Sequence, residues 1–231
     1  MSKNFRDFIN SKKNVLVLGK GYLKKKIIKQ YDLYVGVKQS IGVLPKKDIL
    51  VMNDFEGIFG LEEYIPDIKF ILCPNKIHLN HQPTEKYNYK LYEYVKSLGF
   101  KGEIVNYEIS SNPKPNKELD FIKCKNSGDI IFHFLNKNHK IDVFGIYQCL
   151  DDNLEITRII LNRKSKYFQE EYNSYLNRIY KNKRGINLLM LRDNLEVNLN
   201  QIRTNQEFKN LMTNSQKKIK LQYQNLNITF N

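Results

Sequence analysis

Short apolar runs of strand length punctuate the first two-thirds of the chain: Val15 to Leu18, Leu33 to Val37, Asp48 to Met52, Lys69 to Cys73, Glu103 to Tyr107 and Ile141 to Ile146. Most of these runs lack polar alternation. That pattern belongs to strands covered on both faces, as in parallel sheets. Between them lie segments with helical spacing. Tyr22 to Gln30 reads as a short basic helix, and Gly57 to Tyr64 as a turn of helix. Thr84-Glu85 opens a helix to about Leu98 with Tyr87, Leu91, Tyr94 and Val95 on one face, and Ser127-Gly128 precedes a helix to about Leu135. Ser40 to Lys47 and Pro74 to Pro83 read as loops, and Ser110 to Lys117, with two prolines, as a mobile one. Residues 1–13 form an amphipathic lead-in whose Phe5, Phe8 and Ile9 can pack on the domain.

Strands alternating with helices predict an α/β fold: a Rossmann-like three-layer domain with a mainly parallel sheet over residues 1–150. Residues 151–231 then change character. Leu154 to Lys181 is helical in pattern, and Ile186 to Ile202 reads as a hairpin around Arg192-Asp193-Asn194. Thr204 to Glu207 is a capping box, and Gln222 to Phe230 alternates like an edge strand. The expectation is a C-terminal α+β extension or lid packed on the same domain.

At 231 residues, with 41% hydrophobic positions, the chain can bury a substantial core in one large domain or in one domain with an appendage. Its formal net charge of +14 points to an anionic partner: nucleotide, nucleic acid or acidic glycan. A solvated lysine-rich surface is the alternative, since Lys, Asn, Ile and Tyr are abundant together. Cys73, Cys124 and Cys149 are odd in number and widely spaced, without a CxxC pair, so neither a disulfide framework nor a zinc ribbon is expected. The start of the chain lacks the apolar core of a signal peptide, and no run reaches the length of a membrane span. A soluble, cytoplasmic protein is expected.

The first strand runs directly into Gly19-Lys20-Gly21. Glycines at a βα turn let the backbone approach a ligand, and the start of the next helix offers N–H groups to a phosphate. Lys24 occupies the third position of the dinucleotide glycine pattern, so an ordinary glycine turn remains the competing reading. Asn53-Asp54 follows the third strand, where a ribose or sugar hydroxyl would be held in an open α/β sheet, or where a polar turn would suffice. Ser127-Gly128 suits a phosphate or carboxylate, or serves as a simple N-cap. His78 and His81 share a polar loop but lack the third ligand or glutamate of a metal site, so no metal is expected. The P-loop, zincin and nucleophile-elbow signatures are absent. Lys24-Lys25-Lys26 and Arg178 to Arg184, with Tyr180 between, make a basic-aromatic pattern that nucleic acid or a solvated helix face would explain.

In order along the chain, these pieces resemble the sialyltransferase-like glycosyltransferases, a family that includes small bacterial sialyltransferases. VLVLGKGYL resembles the family's opening strand and glycine turn, and DLYVGVKQS its next strand end. Asn126-Ser127-Gly128 followed by IDVFGIYQ resembles its second sialyl motif. The likeness spans about residues 14–150. It implies a CMP-sugar donor as substrate, with no separate cofactor, and a glycan or other hydroxyl acceptor. Gly19, Lys20 and Gly21 would meet the nucleotide phosphate, Lys38 the ribose or phosphate, and Ser127, Gly128 and Gly145 the cytidine. Lysines stand at both asparagine positions of the pattern, Lys20 and Lys38. Tyr147 replaces the aspartate after Gly-Ile, and no histidine follows His139. The general base is therefore sought at His78, His81 or a carboxylate such as Asp151 or Asp152. An inactive nucleotide-sugar binder and a basic nucleic-acid-binding protein remain the alternatives.

Overall fold

The computed structural model describes residues 2–19, 27–58, 61–79, 82–83, 86–109, 121–122, 127–146, 213 and 216–231. The chain opens with helix α1 (Lys3–Asn10), capped by Ser2, whose hydroxyl accepts from the Phe5 N–H at 3.1 Å. Eight residues are too few to hold a helix alone in water. Phe5 and Ile9 anchor it by burial, and the Phe5 ring meets Phe70 and Phe134 edge-on at 5.2 and 5.7 Å. The lead-in thus packs as its pattern predicts.

Strands β1 (Asn14–Leu18), β2 (Leu33–Val37), β3 (Ile49–Val51) and β4 (Phe70–Pro74) follow. After a two-residue antiparallel ladder, β5 (His78–Leu79) with β6 (Gln82–Pro83), come helix α2 (Lys86–Ser97) and β7 (Glu103–Ile109). Then come β8 (Phe121–Ile122), β9 (Lys140–Phe144) and β10 (Asn227–Phe230). Eight strands form one sheet in the order β10-β9-β1-β2-β3-β4-β7-β8, and every pairing is parallel. The α/β architecture read from the apolar runs is therefore the one observed. β2, β3 and β4 are buried at every residue, as two-sided coverage requires.

Strand order moves outward from β1 in both directions. On one face lie Ile41, Leu44, Ile58, Leu61, Ile65, Leu91 and Val95, from the connections that carry the chain from β2 through β7. On the other lie Phe5 and Ile9 of α1, Ile130 to Phe132, and Ile219 and Tyr223. Crossovers of one hand place their connections on opposite faces when the strand order reverses, so the reversal accounts for both layers.

Several local expectations change. Residues 38–43, read mostly as loop, form a 3-10 helix, as do Phe55–Ile58, Ile65–Asp67 and Ser127–His133. The β2–β3 connection explains why: its few residues must span the sheet, and a 3-10 helix rises about 2.0 Å per residue against about 1.5 Å for an α-helix. Residues 27–30, expected to finish a basic helix, are not helical, and residues 20–26 lie outside the described residues. The loop read from Pro74 to Pro83 carries the short β5–β6 ladder. α2 ends in a Schellman cap: Gly99 sits at φ +84°, its N–H donating to Lys96 O, while Phe100 N–H donates to Val95 O, both at 3.0 Å. Of the edge strand read from Gln222 to Phe230, only Asn227–Phe230 forms a strand, β10, parallel to β9 in the main sheet, while Gln222 ends a helix and 223–225 form a turn. The expected 110–117 loop, the 154–181 helix, the 186–202 hairpin and the helix opened by Thr204 lie outside the described residues.

Cys73 on β4 is buried, and that burial pushes its thiol up to about 12. Its peptide should therefore stay unmodified by iodoacetamide in the native protein at mildly alkaline pH, then label in concentrated guanidinium, as read by peptide mass spectrometry. Native labelling at the rate of an exposed thiol would contradict this packing.

Candidate functional site

The eight strands of the main sheet being parallel, their carboxyl ends share one edge, and the order reverses at β1, flanked by β2 and β9. Open α/β sheets bind ligands at such a reversal, because connections leaving neighbouring strands toward opposite faces open a crevice there. Here β1 delivers Gly19 and β9 delivers Gly145. Gly19 N–H donates to Phe144 O at 2.8 Å, and a Cβ on Gly19 would lie 2.2 Å from Gly145 O and 2.6 Å from a side-chain carbon of Ile146. Gly145 itself adopts φ +63°. The two turns touch, and only glycine at position 19 permits it.

Directly after β2 stands Lys38, the only non-glycine residue with positive φ (+54°) among the described residues. A side chain in this region costs about 1–2 kcal/mol, so surrounding contacts must hold it. Its ammonium pairs with Asp54, which follows β3, and both side chains are largely buried. The Lys38 stem lies against Gly57, where an added Cβ would come within 3.2 Å of it. Ser40 then places its hydroxyl 2.6 Å from Leu18 O and 2.9 Å from Val37 O, fastening the ends of β1 and β2 together. Asn53 takes a hydrogen bond from the hydroxyl of Tyr107 on β7, which also lies 3.2 Å from Met52 O.

The structure thus brings Gly19 to Gly145, Lys38 to Asp54, and Asn53 to Tyr107, all along the carboxyl edge. Ser127 and Gly128 are buried on the face that carries α1, in a segment packed against β2 and β3. That segment follows the carboxyl end of β8 and leads back to the amino end of β9, so its Ser127 end points toward the carboxyl edge. Its seven residues form a 3-10 helix rather than the expected α-helix, so a full macrodipole is not available there. His78 belongs to the β5–β6 ladder after β4, and its side chain lies outside the description. Lys20, Gly21, His81, Asp151 and Asp152 fall outside the described residues, as do the Lys24–Lys26 and Arg178–Arg184 segments.

Tyr107 and Ser40 were not singled out from sequence. Each ends or follows an apolar run and so reads as core or cap. Two histidines have structural work. His139 is buried: its Nδ1 accepts from Asn136 N–H at 3.0 Å, leaving Nε2–H to donate to Ile9 O at 3.2 Å and hold the end of α1. His133 Nε2 meets the Tyr223 hydroxyl at 3.0 Å, and the surrounding protein lowers its pKa through desolvation. Asp48 binds Tyr34 N–H and Lys69 at the amino edge, far along the strand from Asn53-Asp54. Among the described residues, no group of three His, Cys, Asp or Glu side chains could hold a metal ion, and no helix is long and apolar enough to cross a membrane. No family model, curated protein or solved structure matches this chain.

Two substitution tests follow from this geometry. Gly19→Ala should destabilise the protein by about 1–3 kcal/mol, because the new methyl must displace Gly145 backbone; a neutral result in urea unfolding would refute the contact. Lys38→Ala and Lys38→Gly both remove the ion pair, but only alanine keeps the left-handed strain. Lys38→Gly should therefore be the more stable of the two by about 1 kcal/mol. The reverse order would show that Lys38 is not held at positive φ.

Proposed function

We propose that the protein binds a nucleotide-linked substrate at the crevice between β1 and β9, and transfers the sugar of a nucleotide-sugar donor to a hydroxyl acceptor. The observation that carries this reading is the contact of Gly19 with Gly145 at the strand-order reversal. It brings two glycine turns together at the edge where a phosphate would approach. Lys38, just after the next strand, brings a cation to the same edge, where Asp54 holds its ammonium. The sialyltransferase-like order of motifs supports a CMP-linked donor, with Gly19, Lys20 and Gly21 at the phosphate and Gly145 near the base. Sugar transfer asks for positive charge and N–H donors at the departing phosphate and for a base at the acceptor hydroxyl. In this reading the base is His78 or His81.

Calorimetry with CMP, UMP, GMP and AMP and their sugar conjugates tests the reading. The expected outcome is binding of the cytidine nucleotide, tightened by its sugar. Lys20→Ala should weaken that binding about ten- to hundredfold, since one charge-assisted phosphate contact is worth about 1.5–3 kcal/mol. Replacing His78 or His81 should lower turnover while sparing donor affinity. Failure of every nucleotide to bind at millimolar concentration would overturn the proposal.

A further inference from the structure

The opposite, amino edge of the sheet carries a different chemistry. Lys13 immediately precedes β1, Lys46 and Lys47 lie just before β3, Lys69 precedes β4, Lys101 lies two residues before β7, and Lys140 opens β9. The sheet sets Lys140 beside Lys13 on β9 and β1, and Lys46, Lys47, Lys69 and Lys101 together on β3, β4 and β7, with Asp32 before β2 between the two groups. Lys140 N–H donates to Lys13 O at 2.8 Å, and Lys69 N–H to Lys47 O at 3.1 Å. Lys13, Lys46, Lys69, Lys101 and Lys140 are exposed. Like charges on neighbouring strands repel, so the adjacent lysines within each group cost stability in the free protein. The acidic residues of the edge offset part of it: Asp48 pairs with Lys69, Asp32 stands exposed just before β2, and Glu103 opens β7, which leaves lysines in excess. Asp48 is buried and bound to Lys69 and the Tyr34 amide, and one oxygen of Asp32 takes the Lys13 and Asn14 amides.

We infer that this amino edge is a docking surface for single-stranded nucleic acid, separate from the carboxyl-edge crevice. The row runs from β9 to β7, about 24 Å at about 4.8 Å per strand. Adjacent strands of a sheet rotate by about 20–25°, so the row is a twisted line. Such a line follows a flexible polyphosphate better than it meets a flat lipid surface. Aromatic rings flank it: Lys12 and Lys69 lie 4.9 and 5.2 Å from the partly buried Phe8 ring, and Lys47 lies 5.0 Å from that of Tyr64. Rings interleaved with cations are the elements on which strands stack and track.

Fluorescence anisotropy with a mixed-sequence single-stranded oligonucleotide long enough to span the row tests the inference. Neutralising about four phosphates predicts that log K falls against log salt with a slope near −3. The quadruple variant Lys13→Gln, Lys46→Gln, Lys101→Gln, Lys140→Gln should lose at least tenfold in affinity and most of that slope. The variant Lys90→Gln, Lys217→Gln, Lys218→Gln, Lys220→Gln, matched in charge at exposed helical positions, should keep both. Single variants Lys101→Gln and Lys140→Gln, each lowering the slope by about 0.7, preserve the test should the quadruple chain fail to fold. Saturating mononucleotide should not displace the oligonucleotide. Equal loss in both quadruple variants, displacement by mononucleotide, or binding to phosphatidylserine vesicles without oligonucleotide binding would each overturn the inference.

Discussion

The fold depends on one contact: the abutment of the β1 and β9 turns, where Gly19 has room for no side chain beside the Gly145 carbonyl. A parallel sheet must be covered on both faces, because its strands are apolar on both. The chain meets this demand by building outward from β1 in two directions, which sends the connections of the two directions to opposite faces. The reversal requires β1 and β9 to lie side by side with their exits diverging. The cover of the core and the crevice at the carboxyl edge are thus two results of the same topology.

The edge beside that crevice concentrates unfavourable local choices. Lys38 holds a backbone conformation that glycine would adopt more easily, and buries its ammonium against Asp54. Breaking such a pair by deleting one partner leaves a charge with reduced compensation, so the arrangement is rigid. Ser40 and Tyr107 hold the ends of β1, β2 and β3 through carbonyl and amide contacts. A preorganised edge of this kind suits recognition, since little reorganisation remains when a ligand arrives.

How much of this was legible in the sequence follows from what each feature depends on. Val15 to Leu18 and Leu33 to Val37 were readable because two-sided burial removes polar alternation. Gly19 and Gly145 were named as site residues, yet their mutual contact depends on strand order, which no local pattern encodes. Gly42 and Pro45 mark a break in the sequence at 40–47, whereas the span to be crossed winds 38–43 into a 3-10 helix. Tyr107 looked like the end of a strand, and its tie to Asn53 joins residues more than fifty positions apart. The lysine row was equally hidden: its members are scattered through the sequence and become neighbours only through the parallel register.

Hydrogen exchange with and without a cytidine nucleotide-sugar reports where a ligand sits rather than only that one binds. Added protection is expected at Gly19, Lys38 and Gly145, at the carboxyl ends of β1, β2 and β9, with unchanged exchange at Lys13, Lys101 and Lys140. Protection confined to the amino edge, or none at the carboxyl ends under saturating nucleotide-sugar, would contradict binding at the crevice.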